Sequence, residues 1–197
     1  GHKKGWSEYH CKLFCERCCK TIVLNYCMNY LIPLFLVFLA NTALAQQAST
    51  KGAWLEKWEN SKNYLIEIAE AMPEDAYDFK PAPRQMSFKE QLMHIKSNMD
   101  WLSTDYFTDV EYQRTKIDLP SSKKETIGVL SEAFEAAATV IGATAEDSLH
   151  ETVDFFSGPK SKLQILNLLQ DHVTHHRGQL IVYLNLNGVA PPSYSGW

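Results

Sequence analysis

Cysteine is absent from everything after residue 27: Cys11, Cys15, Cys18, Cys19 and Cys27 are all five of the chain's thiols. The remainder can form no disulfide and offers no thiol nucleophile or thiolate ligand to a metal. Two further absences narrow the chemistry. There is no H-E-x-x-H run and no glycine-rich phosphate loop, which removes the common metalloprotease and phosphate-cradling arrangements. Positive charge is also scarce. Residues 46–197 hold fourteen Lys and Arg against twenty-one Asp and Glu, an acidic excess of seven. Nucleic-acid binders follow the phosphate backbone with a basic face, so nucleic acid is not an expected partner. What is present suits a folded chain: 45% hydrophobic and 21% charged residues in 197 residues, enough for one ordinary domain with an appendage.

The appendage is at the front. From Met28 the chain reads MNYLIPLFLVFLANTALAQQ, with a ten-residue apolar run from Leu31 to Ala40. That is short of the roughly 20 residues that span a bilayer. Ala43-Leu44-Ala45 then sets small residues at the −3 and −1 positions before Gln46. This is the pattern of a signal peptide over 28–45, which implies export to the periplasm or the medium and membrane contact only during export. An uncleaved anchor is the competing reading, because no basic residue lies between Met28 and the apolar run. Met28 is the first methionine, so 1–27 reads as an extension upstream of the true start. The alternative is a basic, cysteine-rich cytoplasmic segment, in which Cys15-Glu16-Arg17-Cys18 has the spacing of half a zinc knuckle. The folded domain is therefore expected over 46–197, from Gln46 onward.

Four stretches of this domain have helical character. The first runs from about Lys51 to Met72, with Trp54, Leu55, Trp58, Leu65, Ile68 and Ala69 at three- and four-residue spacing, and Pro73 ends it. Three prolines between Pro73 and Met86 predict an extended connector. Ser87-Phe88-Lys89-Glu90 is a capping box that opens a second helix to about Phe107. Ser122-Lys123-Lys124-Glu125 reads as another box, before an alanine-rich helix to about Ala143. A third, Ser161-Lys162-Leu163-Gln164, opens a helix from Lys162 to about Asn187, stopped by Gly188 and Pro191-Pro192. Only Thr152–Phe156 has an extended look, next to a turn at Gly158-Pro159. The expectation is an all-α four-helix bundle. The long second connection leaves up-down and crossover topologies both open.

The chemistry lies on the fourth helix. Its seam reads Ile165, Leu169, His172, His176, Leu180, Tyr183, so two histidines stand one turn apart where leucines are expected. A metal would satisfy both buried imidazoles at once. A satisfied core pair is the plainer explanation. His94, on the second helix, lies about 120° from the centre of its apolar stripe at roughly 100° per residue. It reads as a seam or surface histidine as readily as a third ligand. Three neutral imidazoles suit Zn, Ni or Fe(II), and positions left open for water suit catalysis. Glu90, one turn before His94, is a candidate base, and equally the capping partner of Ser87. Arg177, Gln179 and His175 are candidates to orient an anion or ligand, or simply to pair on the surface. His150 reads as a loop residue.

These residues carry a resemblance. His94 in its helix, the run His172-Val173-Thr174-His175-His176-Arg177-Gly178-Gln179 and the tail Gly188-Val189-Ala190-Pro191-Pro192 together resemble the DinB-like family over roughly residues 51 to 194. The resemblance implies a four-helix bundle with an unusual connection between its second and third helices. It also implies a metal held by three histidines, which match His94, His172 and His176, and assembly as a homodimer. Relatives include thiol transferases and isomerases that use low-molecular-weight thiols, and members with no known activity. Such thiols are scarce outside the cytoplasm. The expected function is therefore an exported metal-dependent enzyme that activates water or a small nucleophile against a small-molecule substrate, hydrolase-like or thiol-transferase-like. A non-catalytic metal- or ligand-binding bundle is the alternative.

Overall fold

In the computed structural model of the protein, residues 49–195 other than 117 are described, within a unit spanning Ala48–Trp197. The signal peptide expected at 28–45 and the extension expected at 1–27 lie outside the described residues. Among the described residues four α-helices form: α1 (Thr50–Ala71), α2 (Phe88–Phe107), α3 (Lys123–Ala143) and α4 (Lys162–Leu186).

Each helix starts at a serine. Ser49 accepts from the Gly52 amide at 2.9 Å, and Ser87 and Ser161 form complete capping boxes with Glu90 and Gln164. Such caps stabilise a helix by about 1 kcal/mol each. The box expected at Ser122 is only half made. Ser122 Oγ accepts from the Glu125 amide at 3.1 Å, but the Glu125 carboxylate takes the amide and hydroxyl of Ser121, both at 2.8 Å. Ser121 offers two donors to one oxygen, and it wins. At the other ends, Met72 is extended (ψ 127°) ahead of Pro73, as a pre-proline residue prefers. Gly188 stops α4 with φ +70°, which lets the Val189 amide reach back to the Leu184 carbonyl at 3.0 Å.

One expectation about the connections needs correction, and another is met in part. The connector after α1 contains a 3-10 turn, Glu74–Ala76, nucleated behind Pro73. The segment before α4 holds a small antiparallel hairpin, with β1 (Thr152–Val153) paired to β2 (Lys160–Ser161) and Thr152 opposite Ser161. Gly158, at φ +97°, turns the chain between them.

The packing order around the bundle is α1, α3, α2, α4 and back to α1. Side-chain pairings set the directions. Lys51, at the start of α1, donates to the carbonyls of Gly142 and Thr144 at 3.0 and 2.6 Å. Lys123, at the start of α3, reciprocates on Glu70 and Met72 at 2.5 and 2.8 Å. These two helices are thus antiparallel, each ammonium stabilising the negative end of the other. Trp54 and Gln170-to-Ser61 contacts make α1 and α4 parallel, while Gln91 and His94 meet Gln179 and His172 to make α2 and α4 antiparallel. It follows that α2 and α3, though neighbours, run the same way. Residues 108–122 must return along the length of the bundle, so the topology is the crossover one.

The core is anchored by Trp54 and Trp58, stacked at 4.8 Å between centroids. Trp54 Nε1 donates to the Leu166 carbonyl at 3.1 Å and Trp58 Nε1 to the Phe134 carbonyl at 3.0 Å, so one pair of rings ties α1 to both neighbours. By length and composition α3 could cross a membrane, but here its Leu130, Phe134, Ala137 and Ile141 are buried in the bundle core.

Candidate metal centre

Because α2 and α4 are antiparallel neighbours, His94 faces the turn of α4 that carries His172 and His176. One nitrogen from each ring lies within 4.8 Å of the other two. His94 Nε2 and His172 Nε2 are 3.1 Å apart, and the three ring centroids are separated by 4.4, 4.6 and 4.8 Å. His176 is buried and the other two are half-buried. The fully buried stripe of α4 passes through Val173 and His176, which leaves His172 at its edge.

Protonation favours ligation. Burial holds His94 below the ordinary imidazole value. Burial, then the neighbouring His176, His94 and His175 rings, holds His172 down at about 3. Burial, then His94 and His175, holds His176 at about 4. At neutral pH all three rings are uncharged and have lone pairs to offer. His172 Nδ1 is buried without a hydrogen-bond partner, a costly state for a polar atom. Three neutral imidazoles, each with one nitrogen within 4.8 Å of the other two, form a donor set that fits a divalent first-row transition ion.

The orientation of His176 is set by a residue the sequence reading passed over. Gln91 is buried on α2, and its Oε1 lies 2.5 Å from His176 Nδ1. Its amide nitrogen donates to Gln179 Oε1 at 2.7 Å. With the amide group so placed, His176 Nδ1 must be the donor, which frees Nε2. This is how proteins fix a ligating imidazole. The chain of bonds continues from Gln179 Nε2 to His175 Nε2 at 2.8 Å, ending on an exposed ring. A signal existed in the sequence: Gln91 is polar yet sits three residues after Phe88 and four before Ile95, on the apolar stripe. Gln91→Leu is expected to weaken metal affinity about 10–100-fold, measured by competition with a chromogenic chelator.

The other candidates fall in different places. Glu90 accepts from the Ser87 amide at 2.6 Å and from Lys80 at 2.7 Å. The Lys80 contact, before the others, holds its carboxyl below the usual range, which makes it a poor proton acceptor. Its visible role is the cap. Arg177 is not on the surface as its pairing role required. It is buried toward α1 with its guanidinium 4.9 Å over the Tyr64 ring, one helical step round from His176. Gln179 and His175 belong to the hydrogen-bond chain just described. His150 ends a 3-10 turn outside the centre.

The sequence profile of the DinB family matches residues 46–196. The uncharacterized protein YjoA of Bacillus subtilis (strain 168) is 28% identical over 134 residues, covering 64% of this chain and 84% of that protein. Among solved structures, the DinB-like YjoA protein of B. subtilis superposes with a TM-score of 0.62 at 22% identity, covering 72% of this chain and 96% of the other. A DinB-like protein from Bacillus cereus ATCC 10987 gives 0.67 at 19% identity, covering 76% and 100%. These two likenesses show the fold. With the profile covering the whole described bundle, this chain belongs to the DinB family.

Proposed function

We propose that the domain is a metal-dependent enzyme in which His94, His172 and His176 hold one divalent ion, zinc, nickel or ferrous iron, for chemistry on a small molecule. The observation that carries this reading is the convergence of three neutral imidazoles on one point. Among the described residues, no carboxylate or thiol joins that cluster. Three protein ligands is the number that leaves coordination positions for a reactant. A bound ion would supply Lewis acidity toward water or another small nucleophile, in hydrolysis or group transfer. The protein's own part is to hold the three nitrogens and to keep the His176 proton on Nδ1 through Gln91. Export to the periplasm or beyond rests on the 28–45 pattern, and homodimeric assembly rests on the family resemblance.

Elemental analysis of the purified protein tests the first step, and about one zinc, nickel or iron per chain is expected. A screen of ester, amide and thiol substrates tests the second: turnover should vanish with a chelator and return with metal. A folded, metal-free chain that refuses added zinc and nickel would sink the centre. A metal-replete chain whose cobalt-substituted spectrum shows a closed, unexchangeable shell would turn the reading to a non-catalytic binding bundle.

A further inference from the structure

The domain is acidic, yet the surroundings of His94 are not. His94 is the shared wall of two clefts. One, of about 300 Å³, continues over Asn98 and Trp101 to Tyr112, Arg114 and Thr115. The other, of about 570 Å³, runs past Glu90 to Lys80, Arg84 and Lys116. Four cations thus face the clefts against one carboxylate, and that carboxylate is taken by Lys80 at 2.7 Å. Among the described residues Arg84, Arg114 and Lys116 make no ion pair. In a domain with an acidic excess of seven, this local reversal of sign calls for an explanation. A cleft with one sign of charge concentrates ligands of the other.

The smaller cleft has the features of a grip. The Arg114 guanidinium lies 4.5 Å from the centroid of the Trp101 ring. Phe155 stacks on Trp101 at 6.0 Å and 17°, which braces the indole. Stacking fixes the plane of a guanidinium while leaving its N–H edges free, the arrangement that binds a carboxylate or phosphate through two parallel hydrogen bonds. Asn98, one turn along α2 from His94, has its Oδ1 buried with no partner. The residue lines the cleft, but that oxygen is turned away from its open space.

We infer that the small molecule handled at this centre carries a carboxylate or phosphate group, gripped by Arg114 in the smaller cleft. Arg84 and Lys116 raise the local concentration of such anions without gripping them. The inference rests on His94, His172 and His176 being the reactive centre, and gives that centre its substrate class.

Isothermal titration calorimetry of the zinc-loaded protein tests it, with benzoate and phenyl phosphate against neutral benzamide. The anions are expected to bind about tenfold or more tighter than benzamide, the worth of one charge-assisted pair. Arg114→Gln should abolish this preference at unchanged zinc content. Arg114→Lys, which keeps the charge but not the fork, should restore part of it, and Arg84→Gln should leave most of it. Benzamide binding as tightly as benzoate, or a preference that survives Arg114→Gln, would overturn the inference. The two readings fail separately. A chain that takes up no zinc but prefers benzoate through Arg114 loses the metal centre and keeps the anion grip. A zinc-replete chain without the preference loses the grip alone.

Discussion

Alanine in place of His176 is expected to leave a folded chain that retains almost no metal, against about one ion per chain in the parent, by elemental analysis after desalting. The loss should exceed the 10–100-fold expected of Gln91→Leu, because a ligand is removed and not only its support. His172→Ala should abolish retention equally, with a smaller effect on unfolding, since His172 is half-buried and His176 buried. A His176→Ala chain that keeps a full complement of metal would show that the ion sits elsewhere. The pKa values add a sign to the test. In the unfolded chain these imidazoles take up protons below about pH 6.5. In the folded metal-free chain His172 and His176 refuse them until about 3 and about 4. Between those limits the unfolded state binds more protons, so the stability of chelator-treated protein should fall as pH drops through the window. The urea midpoint followed against pH reads this directly, and the double variant His172→Ala/His176→Ala should lose most of the slope.

Trp58→Ala should be the most damaging single change to the fold. The ring is buried, stacks on Trp54, lies 4.8 Å from Phe134 and donates to the Phe134 carbonyl at 3.0 Å. Emptying a site of this kind costs about 3–5 kcal/mol. A domain of ordinary stability has about 5–15 kcal/mol in all. Trp58→Phe keeps most of the packing and deletes the N–H donor, so it should cost about 1 kcal/mol for the lost bond plus the smaller ring's share of packing. Urea unfolding of both variants separates the two contributions. A Trp58→Ala chain as stable as the parent would mean that the α1–α3 seam does not depend on this ring.

What could be read from the sequence was local. Ser87 with Glu90 and Ser161 with Gln164 announced their helices, because a cap is made by residues three apart. Pro73 and Gly188 announced ends for the same reason. Ser122 misled because its competitor, Ser121, has the same chemistry one residue earlier. Of the hairpin at Thr152–Ser161 the first strand and the turn at Gly158 could be read, but its two-residue strands are too short for alternation to show the pairing. His94 could not be promoted by its own helix, since its partner His172 lies 78 residues away; the family resemblance named it and the antiparallel pairing of α2 with α4 then brought the three rings together. Surface pairing was one of the two roles open to Arg177 because a guanidinium usually is exposed, whereas here it is buried against the Tyr64 ring.

The order in which the helices pack has a consequence for how the chain folds. Consecutive helices make no hairpin: α1 lies across the bundle from α2, α3 from α4, and α2 and α3 run parallel. No neighbouring pair can therefore close on itself through a short turn, and every interface waits on a long loop. Such contacts are reached late and slowly compared with those of an up-down bundle of equal length. The Trp54 indole finds its acceptor 112 residues on, in α4. Until α4 docks, α1 and α2 each have an uncovered apolar face and His94 has no companions. Folding of the bundle and assembly of its three-histidine cluster are thus completed by the same event.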